Sequence, residues 1–185
     1  MKHFGFIKKF VRDFKRMMVL RKSETLRDRV WKQLVGYLDS NNFEYERNDK
    51  KHRLQIGFTV NETLTHNLRF DFEGPFLRIH SLIFNYVEEE QATDVMILAS
   101  HINSILKYGK MTTNTSEGFV QLTNELSYTD VIWNPGSLDY FMRMQASMFE
   151  ECNRAFQQMV DSHEDPIFIV AQLLENRRSR PKIDE

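Results

Sequence analysis

The side chains best suited to chemistry in this chain are six histidines, one cysteine and two runs of acidic residues. The histidines are scattered along the sequence, at His3, His52, His66, His80, His101 and His163. No two of them have the His-x-x-x-His spacing that would place both imidazoles on one helix face, where they could bind a metal ion together. We therefore interpret them as unrelated histidines on surfaces and polar faces, and we predict no metal site.

The cysteine and the acidic runs have structural interpretations. Cys152 lies in an apolar helical stripe next to Glu150 and Glu151, whereas a reactive thiolate needs exposure and a positive environment. We therefore predict a buried core cysteine. The acidic segment 161–165 lies between two predicted helices, so we interpret it as the segment that ends the first helix and caps the second. The acids of 88–90 are consecutive, so their side chains diverge and form a solvated first helical turn.

Two other catalytic signatures are missing from the sequence, namely a glycine-rich phosphate loop and a serine in a nucleophile elbow. The single cysteine also excludes an intramolecular disulfide framework and a cysteine-based zinc site. We therefore predict no catalytic residues, no cofactor and no enzymatic activity. The residue types present favour a protein that acts by binding.

The composition indicates one folded domain with extensions. Apolar residues make up 41% of the 185 residues and charged residues 28%, which is typical of a globular protein with a substantial core. The longest apolar runs, Val95–Ala99 and Ile167–Ala171, have five residues each, whereas a membrane-spanning helix needs about 20. Without an export signal or a disulfide pair, the expected location is the cytoplasm.

Charge is distributed unevenly between a basic N-terminal arm and an acidic body. Residues 1–22 contain eight Lys or Arg and one Asp, a net charge of +7, while the other 163 residues contain 17 basic and 25 acidic side chains, a net charge of −8. The arm has apolar residues at helical spacing, flanked by cations. The stripe contains Phe4, Ile7, Val11, Phe14 and Met18, and the cations beside it are Lys8, Lys9, Arg12, Lys15 and Arg16.

Three interpretations of this arm stay open. It docks on its own body or on a dimer mate, it lies on an anionic membrane surface, or it binds nucleic acid or an acidic protein. Each cation near an anionic membrane contributes about 1 kcal/mol, and the apolar stripe would add burial. The acidic body argues against a broad nucleic-acid footprint.

The periodicity of apolar residues predicts the elements of the body. Leu26, Val30, Leu34 and Leu38 repeat every four residues and indicate a helix, with Ser23 as its N-cap. Beyond this helix the period changes to two, which is typical of strands. We predict a short strand that starts at 43 and breaks at 48–50, strands over 53–60, 67–72 and 77–83, a helix over 95–106, strands over 111–115 and 120–126, a long helix from about 137 and a short helix over 165–174.

One predicted hairpin has a well-defined register. Pairing Phe72 with Leu77 across the turn at 73–75 also pairs Asp71 with Arg78. One face of the hairpin is then apolar, and the other pairs an acid with a base. Because a slip by one residue would ruin both features, we expect this register.

This order of elements predicts an α+β fold, α-ββββ-α-ββ-α, with an antiparallel sheet of about six strands flanked by helices and an extra N-terminal amphipathic helix. We divide the chain into the arm at 1–22, an α+β domain at 23–175 and a polar C-terminal tail at 176–185.

Residues 24–175 show a pattern that is similar to a known family. The matching pieces are the Leu26–Leu38 helix running into Phe43–Tyr45, the strand Leu54–Phe58, the hairpin of Phe70–Phe72 with Leu77–Ile79, the helix ending His101–Leu106, and Gly109–Met111 leading to Gly118–Leu122 and a long helix. In this order they resemble the YbjN family, whose members share the fold of type III secretion chaperones. The resemblance implies a self-associating α+β module that binds protein partners, and it implies no catalytic residues.

The long helix also carries an unusual share of methionines, a residue that adapts to varied binding partners. They are Met142, Met144, Met148 and Met159. They fill the core or form a partner or dimer surface, and for the latter we select Phe141, Met144 and Met148. We expect a cytoplasmic homodimer with an unidentified protein partner; the alternative is a peripheral membrane protein anchored by the arm.

Overall fold

The computed structural model describes residues 24–61, 64–84, 88–114, 116–129 and 133–179. Its helices are α1 over 24–40, α2 over Ala92–Ile105, α3 over Pro135–Ser162 and α4 over Pro166–Ser179. Its strands are β1 (Tyr45–Asn48), β2 (Arg53–Asn61), β3 (Leu64–Glu73), β4 (Phe76–Phe84), β5 (Lys110–Asn114) and β6 (Phe119–Ser127). The predicted arm at 1–22, the N-cap Ser23 and residues 180–185 lie outside the described residues.

The strands form one antiparallel sheet in the order β1-β2-β3-β4-β6-β5. The predicted α+β class and six-stranded antiparallel sheet are therefore confirmed. The predicted hairpin register is confirmed as well, because Phe72 lies opposite Leu77 and Asp71 opposite Arg78. Gly74 makes the turn between them with a φ of 56°, a left-handed conformation that glycine adopts without strain.

Helices cover one face of the sheet, and the core between the two layers has two clusters. In the first, α1 and the first half of α3 pack over β2 and β3, with Leu34 and Phe70 fully buried. In the second, α2, α4 and the second half of α3 pack over β5 and β6, with Leu122 and Phe156 fully buried. Strand side chains alternate between faces, and none of the described helices packs on the other face of the sheet.

The end of α4 differs from its prediction. The helix continues to Ser179, so the predicted end at Leu174 is wrong, and residues 176–179 of the predicted tail are helical. Arg177 explains the difference, because it forms an ion pair with Glu151 of α3 at 2.7 Å and donates a hydrogen bond to the carbonyl of Ile105. These partners are distant in sequence, so the polar composition of the segment does not reveal them.

The long helix begins at Pro135, two residues before the predicted start. Asn134 is its N-cap, and its side-chain oxygen accepts a hydrogen bond from the backbone N–H of Ser137. Proline fits the first turn of a helix because its missing N–H would have no partner there. None of the helices in the described part of the chain is both long and apolar enough to cross a membrane.

The edge strand β5 is capped by a side chain from α2. Asn103 accepts a hydrogen bond from the backbone N–H of Met111 and donates one to the carbonyl of the same residue. These two Met111 groups therefore point away from β6, towards the edge of the sheet. An exposed strand edge is a template for pairing with another chain, and Asn103 occupies part of it.

We expect Asn103→Ala to lower the free energy of unfolding by about 1–3 kcal/mol, because it leaves both Met111 backbone groups without their partner. Urea denaturation measures this loss, and sedimentation shows whether the opened edge promotes self-association. Ser104→Ala is the control, since the Ser104 hydroxyl bonds only within the exposed end of its own helix. Equal stability of the two variants would contradict the capping role of Asn103.

Candidate functional site: the open face of the sheet

Polar side chains form two rows across the face of the sheet on which none of the described helices packs. Each row follows the cross-strand register, so its members are direct neighbours. The first row contains Gln55, Arg69, His80, Thr123 and Lys110. The second row contains Arg53, Asp71, Arg78 and Glu125. We call this surface the open face.

Asp71 is the centre of the open face. It is only 5% exposed, yet it is surrounded by cations and an imidazole. Arg53 and Arg69 both form ion pairs with it, the latter at 2.8 Å, and His80 Nε2 lies 3.5 Å from its carboxylate. Buried carboxylates are costly unless they are paired in this way, so Asp71 fixes its neighbours in place.

We expect Asp71→Asn to lower the free energy of unfolding by about 2 kcal/mol, because both arginines lose their charge-assisted hydrogen bonds. Glu125→Gln is the matched control on the same face. Its pair with Arg78 at 2.7 Å is exposed, so its loss should cost less than about 1 kcal/mol. Urea denaturation compares the two variants, and an Asp71 variant as stable as the control would contradict a central role for this carboxylate.

A pocket of about 630 Å³ opens on this face beside β5. This volume lies in the range of natural ligand sites, but most of the residues that line the pocket are polar and belong to strands. The polar residues that line it include Arg78, His80, Lys110, Gln121, Thr123 and Glu125. Arg78 is already paired with Glu73 and Glu125, whereas Lys110 forms no ion pair with any described residue. The pocket therefore presents one uncompensated cation.

His80 connects the pocket to Asp71. Its Nδ1 lies 3.3 Å from the hydroxyl of Thr123, and its Nε2 faces the Asp71 carboxylate. Burial lowers the pKa of His80, with a further contribution from the nearby charge of Arg69. The imidazole is therefore neutral at pH 7 and serves as a hydrogen-bonding group.

The Asp71 carboxylate, the His80 imidazole and the Thr123 hydroxyl follow one another as the groups of a catalytic triad do. The sequence did not predict this arrangement. Both contacts are long for a catalytic triad. The described strands β4 and β6 also direct their backbone N–H groups along the sheet, where they pair with neighbouring strands and do not point to an oxyanion. We therefore interpret the arrangement as a fixed polar surface.

A second polar cluster is buried between the two core clusters and was missed by the sequence prediction. Gln145 of α3 donates a hydrogen bond to the Ser81 hydroxyl at 2.9 Å and accepts one from Asn124 at 2.6 Å. His66 Nε2 lies 3.0 Å from the same hydroxyl. The four side chains belong to β3, β4, β6 and α3, so they tie the helix to the centre of the sheet.

The interpretation of all six histidines as surface or polar-face residues is wrong for His66. Its ring is fully buried and stacks on Phe149 with a centroid distance of 3.9 Å and an interplanar angle of 9°. Its Nδ1 has no hydrogen-bond partner among the described residues. Burial lowers the pKa of His66 to about 3. The sequence signal was its position: His66 is in phase with the core residues Leu68 and Phe70.

The predicted partner residues on α3 are half-buried. Phe141 packs against the first core cluster and Met148 against the second, while Met144 belongs to neither. The use of these three residues by a partner stays a prediction. The large apolar side chains exposed in the described part of the chain are Met96, Ile97, Tyr108, Tyr140, Ile167 and Phe168.

The predictions for the cysteine and for segment 161–165 are confirmed. Cys152 is buried, and desolvation, followed by the charge of Glu151, raises the pKa of its thiol to about 12. His163 ends α3 in a left-handed conformation with a φ of 52°. Asp165 accepts a hydrogen bond from the N–H of Ile167 and so caps the start of α4. The segment therefore ends α3 and caps α4.

The predicted arm residues lie outside the described residues. They are Phe4, Ile7, Lys8, Lys9, Val11, Arg12, Phe14, Lys15, Arg16 and Met18.

Comparisons with known proteins give a likeness in fold. No protein-family model matches the chain, and no curated protein matches it. Among solved structures, the chain is similar to YbjN from E. coli, which is described as a candidate transcription regulator. The two share 13% identity with a TM-score of 0.51, over 68% of this chain and 90% of that chain. The predicted similarity to the YbjN fold is therefore confirmed, while relatedness in sequence is not shown.

Proposed function

We propose that this protein is a non-catalytic binding module that takes an extended segment of another protein on the open face of its sheet. An acidic side chain of that segment pairs with Lys110. The observation that carries the proposal is the one-sided sheet: among the described residues, its open face has a pocket whose charged side chains are paired except for Lys110. An unpaired cation among paired ones selects an anionic group in the partner.

The open face is suited to binding because its side chains are held in advance. Asp71 fixes Arg53 and Arg69, and Glu125 fixes Arg78. A surface whose long side chains are already ordered loses less conformational entropy when a partner binds. The residues that line the pocket are spread over β4, β5 and β6, which favours an extended polypeptide over a small enclosed ligand.

The edge of β5 favours contact with the face of the sheet over continuation of the sheet. An added strand would need the outward backbone groups of β5, and Asn103 occupies those of Met111. A partner segment that crosses the open face avoids this obstacle and contacts Lys110 through its side chain. The likeness in fold to YbjN supports a role through binding, and membership of the YbjN family, cytoplasmic location and self-association belong to this proposal.

Site-specific photo-crosslinking in the native host tests the proposal. One full-length variant carries benzoylphenylalanine at Gln121, in the pocket, and the matched variant carries it at Met144, on the helix side. We expect the Gln121 variant to cross-link one defined protein, through an extended segment with an acidic residue, and the Met144 variant to give no such product. A defined product from Met144 alone would contradict the proposal and support the predicted α3 surface.

A further inference from the structure

The acidic surplus of the body is confined to two segments. Residues 88–105 contain four acids, residues 161–175 contain four acids, and neither segment contains Lys or Arg. Together they account for the whole net charge of −8 outside the arm, because the rest of the body has 17 acids and 17 basic residues. The first segment contains α2 and the residues before it, and the second runs from the last two residues of α3 through most of α4, whose last turn carries Arg177 and Arg178.

The contacts between α2 and α4 indicate that the two segments lie side by side and run in the same direction. Arg177, near the end of α4, donates a hydrogen bond to the carbonyl of Ile105, the last residue of α2, and the two helices pack against each other. Counting back nine residues along each helix brings Phe168 level with Met96, since every helical residue rises by about 1.5 Å. The N-terminal ends of α2 and α4 therefore meet at one end of the molecule.

This end is apolar as well as acidic. Met96 and Ile97 of α2 are 47% and 39% exposed, and Ile167 and Phe168 of α4 are 59% and 62% exposed. Exposed apolar groups that lie together on a folded protein mark an interaction surface more often than isolated ones do. We call these four side chains and the acids around them the α2–α4 end.

Helix dipoles explain only part of the acidic charge. Acids at the start of α2 and α4 are favourable there because a helix N-terminus is positive. Asp161, however, lies in the last turn of α3, where the dipole favours a cation and no basic residue is present. In addition, seven acids of this end form no ion pair with a described residue: Glu88, Glu89, Glu90, Asp94, Asp161, Glu164 and Asp165.

We propose that the α2–α4 end binds the basic arm, residues 1–22, of a second copy of this chain. The charges match, because the arm has a net charge of +7 and the α2–α4 end has seven acids. The chemistry matches as well, because the arm has an apolar stripe between its cations, and this end has exposed apolar side chains between its acids. An amphipathic helix laid on such a surface buries its stripe and pairs its cations at the same time. This surface is separate from the open face.

The position of α1 favours the arm of a second copy over the arm of the same chain. The Tyr37 hydroxyl lies 3.4 Å from the Asp139 carboxylate, and Gln33 donates to the carbonyl of Trp133, so α1 follows the first turns of α3 in the same direction. Residue 24 therefore lies near the start of α3, whereas α4 begins beyond its far end.

The length of α3, compared with the reach of the arm, favours the arm of a second copy. From Asp139 to the end of α3 at Ser162 is 23 residues, or about 35 Å of helix. Val11, in the middle of the stripe, is 13 residues from residue 24, or about 20 Å in helical form. If the arm is helical, as its apolar spacing predicts, it is too short to place its stripe on the α2–α4 end of its own chain.

Analytical ultracentrifugation of four purified proteins tests this proposal. They are the full chain, the chain without residues 1–22, and the full-length variants Phe168→Ser and Tyr140→Ser. Tyr140 is the matched control, because it is an exposed aromatic residue on α3. We expect the full chain and Tyr140→Ser to dimerise, the truncated chain to be monomeric, and Phe168→Ser to dimerise at least tenfold more weakly. Because both replaced side chains are exposed, the variants should unfold at the same urea concentration as the full chain when all are diluted below the concentration at which the full chain dimerises.

Two further measurements keep the proposal falsifiable. Lys8→Glu with Arg12→Glu should weaken the dimer, and adding Glu89→Lys with Glu90→Lys to the same chain should restore it. A full chain that is monomeric at 100 µM, or a truncated chain that still dimerises, would overturn the proposal. So would a monomeric full chain that co-sediments through its arm with vesicles of anionic lipid, which would assign the arm to a membrane.

Discussion

Phe149→Ala should lower the free energy of unfolding by about 3–5 kcal/mol, a large part of the stability of an ordinary domain. Phe149 is 1% exposed and belongs to the second core cluster, and its ring stacks on His66 of β3. Truncation removes this packing and leaves a cavity beside an imidazole whose Nδ1 already has no described partner. The loss therefore includes both apolar transfer and the contact that joins α3 to the centre of the sheet.

Urea denaturation at neutral pH measures this effect, with Tyr140→Ala as the control. Tyr140 lies on the same helix, but its side chain is exposed, so its truncation should change the free energy of unfolding by less than about 0.5 kcal/mol. If Phe149→Ala cost no more than the control, the stacking of α3 on the sheet as described would be wrong.

The second large effect is a loss of stability in acid that depends on His66. Its pKa is about 3 in the folded protein, and an unfolded histidine has a pKa of about 6.5. Between these values the unfolded chain binds a proton that the folded chain excludes, so stability is complete above pH 6.5 and falls as the pH decreases. The contribution at pH 4.5 is a loss of about 2.7 kcal/mol, since each pKa unit corresponds to about 1.4 kcal/mol.

His66→Phe should remove this loss, because phenylalanine keeps an aromatic ring against Phe149 and does not titrate. Urea denaturation from pH 7.5 to 4.5 compares it with the unchanged protein and with His101→Phe, in which an exposed histidine is replaced. We expect the control to keep the full acid sensitivity. In His66→Phe the free energy of unfolding should still fall slightly in acid, because burial also lowers the pKa of His80. Equal slopes for all three proteins would contradict the burial of His66 as a neutral ring.

Local patterns predict much of the fold. The hairpin of β3 and β4 follows from alternation on both faces, because only one register gives an apolar face and an acid opposite a base. The α1 helix follows from apolar residues at every fourth position, and the burial of Cys152 follows from its place in an apolar stripe. In each case the deciding neighbours are close in sequence, so the residues themselves specify the answer.

The open face and the buried polar cluster depend on contacts between distant segments. Glu125 meets Arg78 because β6 pairs with β4 beyond an intervening helix and edge strand, and alternation within each strand does not specify that pairing. Gln145 is polar, so the sequence does not predict its burial. It is buried because Ser81 and Asn124 supply its hydrogen-bond partners. Arg177 extends α4 for the same reason, since its partners lie on α2 and α3.

The most direct test of the open face is the yield of the cross-link from benzoylphenylalanine at Gln121. It is measured in two variants, each with one charge reversed. Lys110→Glu reverses the uncompensated cation of the pocket, and Lys32→Glu makes the same change at an exposed position on α1, on the other side of the sheet. If an acidic side chain of the partner pairs with Lys110, the yield falls at least tenfold in the first variant and is unchanged in the second. Equal yields in both variants would contradict recognition at the open face.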